Sequence, residues 1–106
     1  MKIFLTLFVL FFSSSVVAGK VVGGIVVLDH YDCNSYDHVV IETSMGYTLA
    51  EVYSGYSAII EGKTIYGEFH SFGFTSVYNK NNRKVGKLWI DDYYSSKSSA
   101  IEWCQE

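Results

Sequence analysis

Apolar residues in this chain recur in short runs of alternating or continuous β-branched character, separated by polar turns that often contain glycine. That period belongs to strands, not helices. Val21-Val22 and Ile25-Val26-Val27-Leu28 flank Gly23-Gly24 and predict a buried strand, with a bulge or bend at the glycine pair. Asp32 to Asp37 is a polar turn. His38 to Thr43 is the next strand, and Ser44-Met45-Gly46 connects it to a third, Tyr47 to Tyr53. In that third strand Tyr47, Leu49, Glu51 and Tyr53 share one face and Thr48, Ala50 and Val52 the other.

Ser54 to Ser57 is a loop around Gly55, and Ala58-Ile59-Ile60 is a short strand or a covering loop. After the Glu61-Gly62-Lys63 turn, Thr64 to His70 alternates with Ile65, Gly67 and Phe69 on one face. Apolar parity then shifts to Phe72 and Phe74, which demands a turn or bulge at Ser71 to Gly73. Asn79 to Gly86 is a polar, basic hairpin loop. Lys87 to Tyr94 is the last strand, with Leu88 and Ile90 opposed to Trp89 and Asp91. The period changes at the end, where Ser95-Ser96 caps a short helix over about 97–105 that puts Ala100 and Cys104 on one face. Five to six short strands with tight turns predict an all-β, antiparallel barrel, SH3-like or OB-like, with a short C-terminal helix. The expected core is Val26, Leu28, Val39, Ile41, Leu49, Ile65, Phe69, Leu88 and Ile90.

The N-terminal segment does not fit that pattern. Residues 1–18 read as a secretory signal peptide. Lys2 precedes an apolar run, Ile3 to Phe12, broken only by Thr6, and Val16-Val17-Ala18 supplies the small residues before cleavage after Ala18. A run of about 10 apolar residues falls well short of the roughly 20 that span a bilayer. The expected product is a secreted or periplasmic domain over 19–106 with no transmembrane segment. Removing 18 of the 106 residues leaves 88, and loss of Lys2 leaves 7 basic and 11 acidic side chains, a formal charge of −4. That charge excludes nucleic acid as the expected partner, since phosphates select a basic face. Export also assigns Cys33 and Cys104, the only two cysteines, to a disulfide, because two distant thiols make a poor metal or redox site.

Catalytic signatures are missing. The chain has no nucleophile elbow, phosphate-binding glycine loop or zinc-ligand spacing, so no cofactor, metal or catalytic residue is expected. His30 and His38 flank the Cys33 turn among Asp29, Asp32 and Asp37, which reads as a solvated polar turn. His70 precedes the parity shift. Asp91 and Asp92 are neighbours on a strand and so point to opposite faces, unable to act together unaided. Glu51 and Glu68 interrupt apolar patterns and predict structural hydrogen bonds. Lys80, Arg83, Lys84 and Lys87 crowd the last hairpin, the pattern of a solubilising edge.

Tyrosine is the unusual component: all nine lie in the mature segment. A rigid ring with a polar tip suits binding faces. Tyr53, Tyr56, Tyr93 and Tyr94 sit at predicted strand ends or loops and are the candidate binding residues. The expected function is a small exported, non-catalytic domain that binds another macromolecule, a protein or a glycan. Two alternatives differ in what they need: a small hydrolase with a His/carboxylate site, or a carbohydrate-binding module built on exposed Tyr and Trp.

Overall fold

A computed structural model describes residues 19–106, and the signal-peptide reading of 1–18 lies outside the described residues. Six strands form in chain order: β1 (Val22–Leu28), β2 (His38–Thr43), β3 (Gly46–Ser54), β4 (Thr64–Gly67), β5 (Gly73–Tyr78) and β6 (Lys84–Ser95). The helix α1 (Lys97–Cys104) follows. All neighbouring strands are antiparallel and close in the order β1-β2-β3-β6-β5-β4, so two three-stranded meanders meet at β3–β6 and at β1–β4. Closure leaves no free sheet edge among the described residues.

The alternation read from the sequence sorts side chains as expected. Val39, Ile41, Ala50, Val52, Ile65, Phe69, Val77, Leu88 and Ile90 fill the barrel with Val26. Thr48 also points inward, and its hydroxyl donates to the Phe69 carbonyl at 2.9 Å, so a buried polar group is satisfied. The three consecutive apolar residues of β2 divide: Val39 and Ile41 enter the barrel, and Val40 lies outside beneath α1. Leu49 is buried in that same seam, with Cys33, Ala100 and Cys104, so the helix makes a second small core. Ser96 caps α1 by accepting the Ser99 N–H at 3.2 Å.

Several expectations need correction. Leu28 is only half-buried, because the β1–β2 register shifts between Val26 and Leu28 and turns Leu28 toward the helix seam instead of the barrel. That bulge lies beyond Gly23-Gly24, and the glycines serve close packing. A Cβ on Gly24 would come within 2.5 Å of Ile41, and one on Gly23 within 2.9 Å of the Tyr66 ring. Of the two readings of Ala58 to Ile60 the covering loop holds: it is a turn closed onto the Gly55 carbonyl, with Ile59 buried in the core. Phe72 and Phe74 face solvent, and the expected parity shift does not occur: Ile65, Gly67 and Phe69 before the turn and Thr75 and Val77 after it all point inward. The Asn79–Arg83 turn is tighter than expected, with Asn82 at φ 61°, so β6 starts at Lys84.

Cys33 and Cys104 are joined, with Cα atoms 4.7 Å apart, as the sequence predicts. The bond ties the β1–β2 loop to the end of α1. Asn34 reinforces it, its N–H donating to the Cys104 carbonyl at 2.9 Å and its amide to the Gln105 carbonyl. Among the described residues no helix is long and apolar enough to cross a membrane.

Candidate functional site

The helix covers the outer side of β2 and β3, where Val40 and Leu49 lie. The outer side of β5 and β6 carries aromatic rings instead. Phe74 and Trp89 are directly opposite one another in the β5–β6 ladder, and their rings meet edge to face at 4.8 Å. Tyr53 of β3 packs edge to face on Phe74 at 4.7 Å. These rings remain 60% (Tyr53), 48% (Phe74) and 37% (Trp89) exposed, and Phe72 just beyond them is also exposed. The Lys87 ammonium sits 4.5 Å from the Phe74 ring centroid, a cation–π contact. Strand alternation explains the arrangement: Leu88, Ile90, Thr75 and Val77 point inward, so Trp89 and Phe74 must point out.

Two carboxyl groups border this face. Glu51 is opposite Trp89 in the β3–β6 ladder, and the diagonal neighbour on the same outer face is Asp91. Hydrogen bonding to Asp91, partial burial, and the negative charges of Asp91 and Asp37 push the Glu51 carboxyl up to about 7. Asp91 and Asp92 are expected to be unable to act together unaided; Asp92 accepts the Tyr93 N–H at 2.8 Å, and the carboxyl beside Asp91 comes from β3. The sequence separation of 40 residues hides this pair from any local pattern.

A carboxyl with a raised folded pKa binds its proton more tightly folded than unfolded. The stabilisation is complete below the ordinary value of 4.5 and is lost as pH rises through about 7. Because the pair is partly solvated, the expected loss is on the order of 1 kcal/mol, well below the unscreened conversion. Glu51→Gln keeps a donor toward Asp91 and removes the titration. Urea midpoints taken from about pH 4.5 to about pH 8 should fall for the natural protein relative to the variant. Parallel curves for the two would refute the shared proton.

At one end of the barrel the β1–β2 loop, residues 29–37, forms a second aromatic group. His30 is only 5% exposed, so the solvated-turn reading of this segment is corrected. Its ring lies 4.3 Å from Tyr31, 4.9 Å from Tyr36 and 5.3 Å from Tyr56. Asp29, also buried, braces the loop, one carboxylate oxygen accepting the Tyr31 N–H and the other the Glu61 N–H, both at 2.8 Å. Burial pushes the Asp29 carboxyl up, but these backbone donors prevail and hold it below its ordinary value. Asp32 in turn accepts the Asp29 N–H at 3.0 Å. Asp29, Asp32 and Glu61 cluster closely, but the Asp29 and Asp32 oxygens are already committed to loop amides. His38 takes no part in this group and stacks on Trp103 of α1 at 3.8 Å.

The opposite end holds a third group. His70 Nε2 is 2.9 Å from the Thr43 hydroxyl, and its ring is 4.9 Å from Tyr94 and 6.4 Å from Tyr93. Burial lowers the His70 pKa, and its polar partner is a hydroxyl, not a carboxylate. Phe72 reaches Tyr93 at 4.8 Å, linking this group to the outer face.

The four candidate tyrosines are thus divided. The antiparallel β3–β6 pairing sets Tyr47 against Ser95 and Ser54 against Lys87, which sends Tyr53 and Tyr94 to opposite ends of the ladder. Tyr53 and Tyr94 are exposed. Tyr56 is half-buried, its hydroxyl donating to the Val52 carbonyl at 3.0 Å, and Tyr93 packs against the barrel core, so both have structural duties as well. Phe74 and Trp89 were not among the candidates. Their alternation with Leu88, Ile90 and Val77 is the signal that identifies them as outward-facing. The chain matches no family model, no curated protein and no solved structure.

Proposed function

We propose that this chain is a small exported, non-catalytic domain that binds a macromolecular partner in the cell envelope or outside the cell. The observation that carries this reading is the outer face of β3, β6 and β5, where Tyr53, Phe74 and Trp89 touch one another and stay exposed. Contiguous exposed aromatic surface on a soluble fold marks interaction sites, and such rings dominate binding energy. Export rests on the pattern of residues 1–18, and the Cys33–Cys104 bond agrees with an oxidising compartment.

A hydrolase of the expected kind needs histidine and a free carboxylate converging on one cleft. The Asp29 carboxylate beside His30 is taken up by the Tyr31 and Glu61 amides, His38 is opposite Glu51 in the β2–β3 ladder but its ring is stacked on Trp103, and the polar partner of His70 is the Thr43 hydroxyl. These engagements favour binding over hydrolysis. The test is affinity capture from the producing cell's envelope and medium, run in parallel with Tyr53→Ser/Phe74→Ser/Trp89→Ser. The natural protein should retain a partner that the triple variant releases. Equal retention by both, or no retained partner, would contradict the proposal.

A further inference from the structure

We infer that the groove formed by His30, Tyr31, Tyr36 and Tyr56 is a binding site for a neutral saccharide. This site uses no residue of the β3–β6–β5 face, so the two surfaces stand or fall separately.

The groove has a volume of about 440 Å³ and is completed by Ser57 and Ile60. That size falls within the range of small-ligand sites. Tyrosine rings line it: Tyr31 is 80% exposed and Tyr36 62%, while Tyr36 and Tyr56 lie 5.2 Å apart. Such rings offer apolar faces for the C–H side of a pyranose and hydroxyl tips for its polar edge.

The loop that carries them is held before any ligand arrives. The disulfide anchors Cys33, the Asp29 carboxylate ties Tyr31 to Glu61, and the Val52 N–H donates to the Asp37 carbonyl at 2.7 Å. Preorganisation reduces the ordering cost of binding, which matters most for weakly held ligands. Exposed tyrosines on a loop braced this heavily fit recognition better than a solvated linker.

The hydrogen-bonding chemistry narrows the ligand. His30 lines the groove, but its Nδ1 is buried away from it and from every hydrogen-bond partner. The groups that meet a ligand are the exposed Tyr31 and Tyr36, whose hydroxyls both donate and accept and so suit a polyol. Asp29, Asp32, Asp37 and Glu61 surround the groove and disfavour anionic ligands, Asp37 acting close to Tyr56. A cation would have to enter beside His30, which already fills the middle of the rings.

The experiment is a titration of the ¹⁵N-labelled, disulfide-bonded protein with cellotriose, maltotriose, mannotriose and triacetylchitotriose, followed by amide shifts. A sialylated trisaccharide serves as the anionic comparison. At least one neutral sugar should produce saturable shifts at Tyr31, Tyr36, Tyr56 and Ser57. Tyr31→Ala and Tyr36→Ala, both at exposed rings, should each weaken that binding about tenfold, the scale of an aromatic hot spot. Tyr36→Phe, which keeps the ring, should retain most of the affinity, and Tyr53→Ala should leave it unchanged. Three results would overturn the assignment: no shift with any neutral sugar, tighter binding of the sialylated one, or binding indifferent to the Tyr31 and Tyr36 variants.

Discussion

Cys104→Ser should lower the melting temperature of the domain over 19–106 by about 20 °C. The closed loop spans 71 residues of sequence separation, nearly the whole domain. Chain entropy gives about 4.4 kcal/mol for a loop of that size. A domain this small shifts by roughly 4–8 °C per kcal/mol, and folded domains hold only about 5–15 kcal/mol in total. The loss is also local. Without the bond, α1 is too short to persist alone, and its seam with Val40 and Leu49 opens. Scanning calorimetry under oxidising conditions checks this, and a shift under about 3 °C would show that the helix and loop are held by packing alone.

Phe69→Ala should cost about 3–5 kcal/mol, the range for a fully buried aromatic. Phe69 is 0% exposed and the largest fully buried side chain, and it follows β4 at the point where the chain turns inside the barrel mouth. Its ring takes the space over Gly67, where a Cβ would come within 2.7 Å of it. Its carbonyl accepts the Thr48 hydroxyl, so a shifted backbone would also leave a buried polar group unpaired. Chemical denaturation should show a lower midpoint with an unchanged slope. A cost below about 1 kcal/mol would mean that the surrounding barrel side chains close over the space.

The barrel was legible because alternation is a local property. Once Thr48, Ala50 and Val52 face inward, Glu51 and Tyr53 must face out, and the same holds for Leu88 and Ile90 against Trp89. The disulfide was legible because a chain with only two cysteines allows one intramolecular pairing. The error at Leu28 arises where register shifts, at the Val26/Leu28 bulge, after which periodicity cannot tell which phase is buried. Phe72 and Phe74 mislead for another reason: their bulk suggests a change of parity, whereas Thr75 and Val77 keep the inward parity of Ile65 and Phe69. The site was less legible for a different reason. Glu51 with Asp91, and His30 with Tyr56, become neighbours only when distant strands and loops are brought together. The tyrosine count pointed to binding, but strand ends that look alike in sequence lie at opposite ends of the β3–β6 ladder.

The central claim is that the exposed rings of β3, β5 and β6 are the contact surface for a macromolecular partner. The dissociation constant for the captured partner, measured by calorimetry for the natural protein and for Tyr53→Ser/Phe74→Ser/Trp89→Ser, tests it most directly. Each ring at a hot spot contributes more than about 1–2 kcal/mol, so the triple variant should bind at least about 100-fold more weakly while circular dichroism shows the barrel still folded at the temperature of the titration. Affinity within about threefold of the natural protein, in a variant that remains folded, would contradict the claim and place the contact elsewhere on the barrel.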